Sequence, residues 1–266
     1  ESLPFHDKAV GVAREHQEAF ERWATEQGAQ KAEKIPELEL EKTPQDEALI
    51  RYSEAAVRDY VAKYGKDITG RPETPLSRIH ILREGGVEEF SEGKKMTAAH
   101  STKLQNILID QNKSRVQFAL YVFHELMHAY SYTAVQHSTD DTFEPYRAGF
   151  STYTRDGGKS YFEDWDEGAI GLMTERFFKE FIEHNPQFQQ ELRERPEGFD
   201  LSREEEKKKL SLVIDDLYER NEEQFSDRTE VENLFLNAVI NGRMLPVTRL
   251  VEKTYGKGSF RKFGEE

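Results

Sequence analysis

No cysteine occurs among the 266 residues. That absence excludes disulfide staples, thiol nucleophiles and cysteine-based metal sites together, so any bound metal must sit on histidine and carboxylate ligands. It says little about compartment. Long hydrophobic runs are missing too. The most apolar stretch, residues 118–130, is broken by His124, Glu125 and His128, and none approaches the ~20 residues a membrane-spanning helix needs. Positive charge is scarce beside negative: 37 Lys and Arg stand against 51 Asp and Glu, a formal net charge of -14. A nucleic-acid partner requires a basic footprint, which this balance does not supply. The acid excess mildly favours cationic partners and otherwise serves solubility. A soluble protein is expected, with the cytoplasm favoured; because the chain opens at Glu1 rather than Met, a secreted form with a trimmed leader stays open.

What is present suits an ordered globular protein of one large domain or two modest ones, with 36% hydrophobic and 11% aromatic residues. Residues 7–34 read as a polar helix, broken by the Pro-containing stretch 33–44. A second helix is expected over 45–64, where Leu49, Ile50, Ala56, Val57, Tyr60 and Val61 recur at helical spacing. Short extended segments follow at 78–83, 87–90 and 104–110. Ser114 and Gln117 form a capping-box signal for a helix over 115–135 that is apolar on nearly every side and so belongs in a domain centre. Residues 146–162 read as a β-hairpin turning at Asp156, Gly157 and Gly158. Further helices are expected over 166–184, 203–225, 229–241 and 246–255. The charge run 203–209 reads as a solvated helix start. The domain organisation expected is an N-terminal helical extension (1–43), a catalytic core (44–184) and a C-terminal helical subdomain packed on it (185–266).

His124–Glu125–Leu126–Met127–His128 carries the chemistry. Residues at i and i+4 stack on one helix face, so both imidazoles can reach a single tetrahedral ion. The glutamate beside the first histidine then faces a metal-bound water rather than the metal and can take its proton. Such a pattern arises by chance roughly 0.02 times in a chain of this size and composition. Two histidines and a glutamate in so apolar a helix would be costly to bury without a partner. A metal supplies one, and zinc is the ion expected. The alternative, two satisfied core histidines and a buried ion pair, would more commonly use Leu or Gln at those positions.

A zinc hydrolase needs a third protein ligand and an open position. An extension placing glycine at 131 and histidine at 134 is ruled out by Ser131 and Ala134, which leaves a downstream carboxylate. Here the chain resembles the gluzincin clan of zinc metallopeptidases, and most closely small single-module gluzincins of the minigluzincin kind. The resemblance rests on the HELMH helix, the aromatic hairpin leading into Asp166–Glu167–Gly168, and the helical C-terminal part. It implies an α+β, zincin-like fold, mainly helical with a small mixed sheet beside the active-site helix, and it makes Glu167 the third ligand. Two departures stand out: Asp166 replaces the usual asparagine, and Gly171 stands where relatives often carry an acid that supports a ligating histidine.

Glu175 lies two turns beyond Glu167, roughly 12 Å away, so both cannot bind one ion. It is the alternative ligand or a support behind one, and Glu163, Asp164 and Asp166 are further candidates. No oxyanion-stabilising group is assigned. Tyr153, Tyr161, Arg147, His137 and His100 are better explained structurally, and His6, His16, His80 and His184 show no ligand spacing. The expected function is zinc-dependent hydrolysis of a peptide or protein substrate, with Glu125 as general base and the peptide lying along an edge strand, 104–110. Another zinc hydrolase on the same scaffold, or a silent zinc-binding module, are the competing classes. Oligomeric state is not readable.

Overall fold

The computed structural model describes residues 8–10, 35–69, 71–91, 93–102, 106–137, 143–154 and 158–265. The fold is α+β, with ten α-helices and two small sheets among these residues. Strand β1 (Lys8–Val10) is followed by α1 (Ile35–Leu38), α2 (Pro44–Lys63), β2 (Ile79–Leu82), α3 (Gly86–Phe90), β3 (Ala98–Ser101), β4 (Asn106–Asp110) and α4 (Arg115–Tyr130). Next come β5 (Thr133–His137), β6 (Phe143–Ala148), β7 (Ser151–Tyr153), β8 (Ser160–Tyr161) and α5 (Glu163–Phe177), which runs into a π-helical turn, Phe178–Ile182. The helices α6 (Gln189–Glu194), α7 (Glu204–Glu219), α8 (Arg228–Asn241), α9 (Met244–Tyr255) and α10 (Ser259–Gly264) complete the chain.

The first sheet has the order β2-β4-β3, with β2 parallel and β3 antiparallel to β4. Alternation along the strands gives it two buried faces. Ile79, Ile81, Ile107 and Ile109 join the main core, while Leu82 and Leu108 meet Ile35, Leu38 and Val87 in a smaller cluster. The second sheet has the order β1-β5-β6-β7-β8. Helix α4 sits against α2, α5, β3 and β4. The main core continues from Leu49 on α2 through α4 and α5 to Val251 on α9 without a break at residue 184.

Several elements differ from the sequence reading. The edge strand expected at 104–110 is the central strand β4, paired on both sides, with β2 and β3 at the edges. Segment 87–90 is helical because the Asp110 carboxylate accepts from the backbone N–H groups of Gly85 and Val87, at 2.9 and 2.8 Å, and so caps α3. Helix α4 stops at Tyr130 rather than 135. Ser131 turns extended, and the β-branched Thr133 and Val135 pair instead with β6. The expected hairpin is a three-strand meander with an additional turn at Gly149 and Phe150, where Gly149 has φ +55°. Residues 155–157 of its second turn lie outside the described residues. Residues 8–10 are a strand parallel to β5 rather than the start of a helix. A short polar segment gains little from helix formation alone, whereas pairing satisfies its backbone. The remainder of that expected helix, with His16, lies outside the described residues, as does His6 before it.

Candidate metal centre

Helix α4 is pinned at both ends. The Ser114 hydroxyl accepts from the Gln117 N–H at 2.9 Å, while the Gln117 amide donates to the Asp200 carbonyl rather than closing a reciprocal box. At the other end Lys66 donates to the carbonyls of Tyr130 and Ser131, and Arg71 to that of Ala129. Cations at a helix C-terminus answer its unpaired carbonyls. His124 and His128 project from this fixed rod with Nε2 atoms 3.3 Å apart.

Helix α5 brings the third group. The Glu167 Oε2 lies 3.3 Å from His124 Nε2 and 3.5 Å from His128 Nε2. Among the described residues His124, His128 and Glu167 form the one set of three side chains with ligand atoms this close together. Tetrahedral zinc with ligands at 2.0–2.1 Å requires about 3.3–3.4 Å between ligand atoms. The triangle already has that size.

Hydrogen bonding behind the imidazoles fixes their tautomers. Thr174 Oγ1 donates to the Ile170 carbonyl at 2.9 Å, so it accepts from His124 Nδ1–H at 3.2 Å. Asp166 Oδ2 stands 3.6 Å from His128 Nδ1, and its Oδ1 accepts from the Phe150 N–H at 2.6 Å. In their neutral forms both Nε2 atoms then present lone pairs to each other and to a carboxylate oxygen, and a protonated ring instead donates to Glu167. Three acceptors converging on one point repel unless a cation or a proton lies between them. Burial alone would lower the pKa of His128, but the Glu167 charge and the hydrogen bonds to Asp166 and Glu167 raise it well above the ordinary histidine value. Burial likewise opposes ionisation of Glu167, yet His128 and the bonds from both imidazoles hold its carboxyl well below the usual range. A proton relieves one contact, and a divalent cation relieves all three.

Glu125 is 7% exposed and hydrogen-bonds to no side chain among the described residues. Burial raises its pKa, against the opposing influence of both histidines. It lines a cavity of about 440 Å³ together with His128, Glu167, Ala98 to His100 of β3, and Tyr153. His100 lies parallel to His128 at 6.5 Å between ring centroids.

Other sequence candidates are placed elsewhere. Glu175 is held by Lys179 at 2.6 Å and Lys207 at 3.3 Å, away from the triad. Asp164 pairs with Lys209 at 2.6 Å, and Glu163 lines the cavity without reaching the imidazoles. Arg147 is spent on the carbonyls of Gly149, Ala238 and Gly242. His80 pairs with Glu39 at 2.9 Å, and His184 is exposed beside Glu183. The His137 side chain lies outside the described residues.

Three features of the site escaped the sequence reading. Asp166 and Thr174 act behind the imidazoles, and Asp166 is thus a support for His128 rather than a competing ligand. The third is Arg203, whose Nε lies 2.9 Å from Glu167 Oε2. Ser202 and Arg203 both occupy the left-handed region, at φ +62° and +58°, a costly backbone for non-glycine residues. The charge run 203–209 is exposed at five of its seven positions, Arg203 among them, as a solvated helix start should be. Lys207, also within it, is 4% exposed and bound to Glu175 and Glu204. Nothing in a block of three glutamates followed by three lysines marks Lys207 as the one that turns inward.

No protein-family model, curated protein or solved structure matches this chain.

Proposed function

We propose that this chain is a zinc-dependent peptidase of zincin-like, gluzincin-type architecture that hydrolyses peptide or protein substrates. One observation carries the reading: three lone-pair atoms from His124, His128 and Glu167 converge at 3.3–3.5 Å, with the carboxyl of Glu125 opening on the same cleft. The donor set suits zinc, being two neutral imidazoles and one carboxylate with one position left for water or substrate.

When bound, zinc would supply a Lewis acid for the scissile carbonyl and acidity for the attacking water. Glu125 accepts the proton of that water and passes it to the leaving amine. Asp166 and Thr174 hold the two imidazoles with Nε2 facing inward. Arg203 fixes the orientation of Glu167. β3 lines the cleft through Ala98, Ala99 and His100, so an extended peptide lying along it would cross the metal centre. This replaces the strand at 104–110 as the substrate edge.

The test is Glu125→Gln, which keeps the shape and removes the base. Zinc content should be unchanged while peptide hydrolysis falls by roughly 10²-fold or more. Unchanged turnover would exclude Glu125 as the base. A panel of ester and amide substrates beside the peptides separates a peptidase from another hydrolase on the same scaffold.

A further inference from the structure

A second cavity, of about 510 Å³, shares part of its lining with the cavity at the candidate metal centre and takes no part in the chemistry above. Glu163 and Asp164, at the start of α5, line both cavities. Its inner wall is aromatic. Trp165 stands 5.3 Å from Phe162 and 5.6 Å from Phe263 between ring centroids, within a cluster that also holds Phe260. This wall is tightly fixed. Phe162 is held at φ +63°, its N–H donates to the Gly264 carbonyl at 3.2 Å, and a β-carbon on Gly264 would lie 2.5 Å from the Phe162 ring. On the α7 side Leu212, 61% exposed, adds an aliphatic surface to the lining.

The rim carries three carboxylates, and two are engaged: Asp164 with Lys209 at 2.6 Å and Glu265 with Arg261 at 2.9 Å. Glu163 is exposed and has no hydrogen bond or ion pair among the described residues. The cavity thus offers an aromatic and aliphatic wall with one uncommitted carboxylate at its mouth, on a chain of net charge -14. A side chain with an apolar stem and a cationic head meets both requirements. Its stem lies along Trp165, Phe263 and Leu212, and its head reaches the ring faces and Glu163. An acidic side chain is repelled, and a neutral aliphatic one leaves the carboxylate unanswered.

We propose that this cavity is the subsite for a lysine or arginine side chain of the substrate, so that cleavage is selective for basic peptides. The substrate role rests on the peptidase reading; the binding does not.

The test therefore has two arms. In the first, N-acetyl-arginine amide and its uncharged counterpart N-acetyl-norleucine amide are titrated against the protein while Trp165 fluorescence is followed. Arginine amide should saturate, norleucine amide should bind roughly tenfold more weakly, and Glu163→Gln should remove most of that difference. Equal binding of both probes, or a preference unchanged in Glu163→Gln, overturns the proposal. In the second arm a mixed peptide library is digested. The parent should select Lys or Arg at one position relative to the cut, and Glu163→Lys should shift selection towards Asp or Glu. Cleavage without basic preference overturns the subsite while sparing the peptidase reading. Saturable, Glu163-dependent arginine-amide binding with no peptide cleaved sustains the cationic site and sinks the peptidase reading instead.

Discussion

His124 and His128 differ in what holds their far nitrogens, and that difference yields the sharpest residue-scale expectations. Asp166 Oδ1 is occupied by the Phe150 N–H, so in Asp166→Asn the carbonyl oxygen stays there and the amide NH₂ turns towards His128 Nδ1. A donor at Nδ1 favours the tautomer with Nε2 protonated, which cannot ligate. Zinc affinity should fall by about 10–100-fold with the fold intact, measured by competition with a chromogenic chelator. Thr174→Val removes the acceptor for His124 and should weaken zinc less, by about tenfold. An unchanged affinity in both variants would show that these groups do not orient the imidazoles. Arg203→Gly separates backbone from side chain. It relieves the left-handed strain, stabilising the fold by up to about 1 kcal/mol, yet loses the contact to Glu167 and should weaken zinc binding by about tenfold. Denaturant midpoint and metal competition on the same preparation read both effects. A variant that binds zinc as the parent does would reduce Arg203 to a surface ion pair.

At the scale of elements, the site depends on how closely α5 lies against its neighbours. Gly168 faces the backbone of α7, and a β-carbon there would sit 2.6 Å from the Glu206 carbonyl oxygen. Gly168→Ala must push the two helices apart and should destabilise the protein by about 1–3 kcal/mol, read from the denaturant midpoint. A midpoint equal to that of the parent would mean the helices have slack. Gly149 is tighter still: its β-carbon would lie 2.0 Å from Asp166 Oδ1, so Gly149→Ala should loosen His128 as well as the turn. The elements legible in the sequence were those with strong periodicity or clear punctuation. Apolar spacing marked α2, Ser114 marked the start of α4, and the helix ends expected at 241 and 255 fall just before Gly242 and Gly256, which close α8 and α9. Those that misled depend on distant partners. The cap of α3 is an aspartate more than twenty residues away, and the end of α4 is decided by a strand that arrives later in the chain. For the site, the i, i+4 histidines declared themselves, and Glu167 followed from resemblance. Asp166, Thr174 and Arg203 did not, because their roles exist only once α4, α5 and α7 are packed together.

Taken whole, the molecule encloses α4 and α5 in one continuous core that also takes in α7, α8 and α9. A ligand that bridges α4 and α5 therefore binds the folded state and not the unfolded chain, and stabilises by mass action. At zinc concentrations a hundredfold above the dissociation constant this linkage is about 2.7 kcal/mol, which for a chain of this size corresponds to a rise in melting temperature of about 5–10 °C. Chelation should reverse the rise in the parent, and added zinc should produce none in His128→Ala. Equal shifts in parent and variant would place the stabilising ion elsewhere. The most direct measurement is elemental analysis of the protein purified without added metal, beside the double variant His124→Ala/His128→Ala. About one zinc per parent chain is expected, and none in the variant. A folded parent that holds no zinc even after incubation with excess ion, or a double variant that retains a full equivalent, would contradict this expectation.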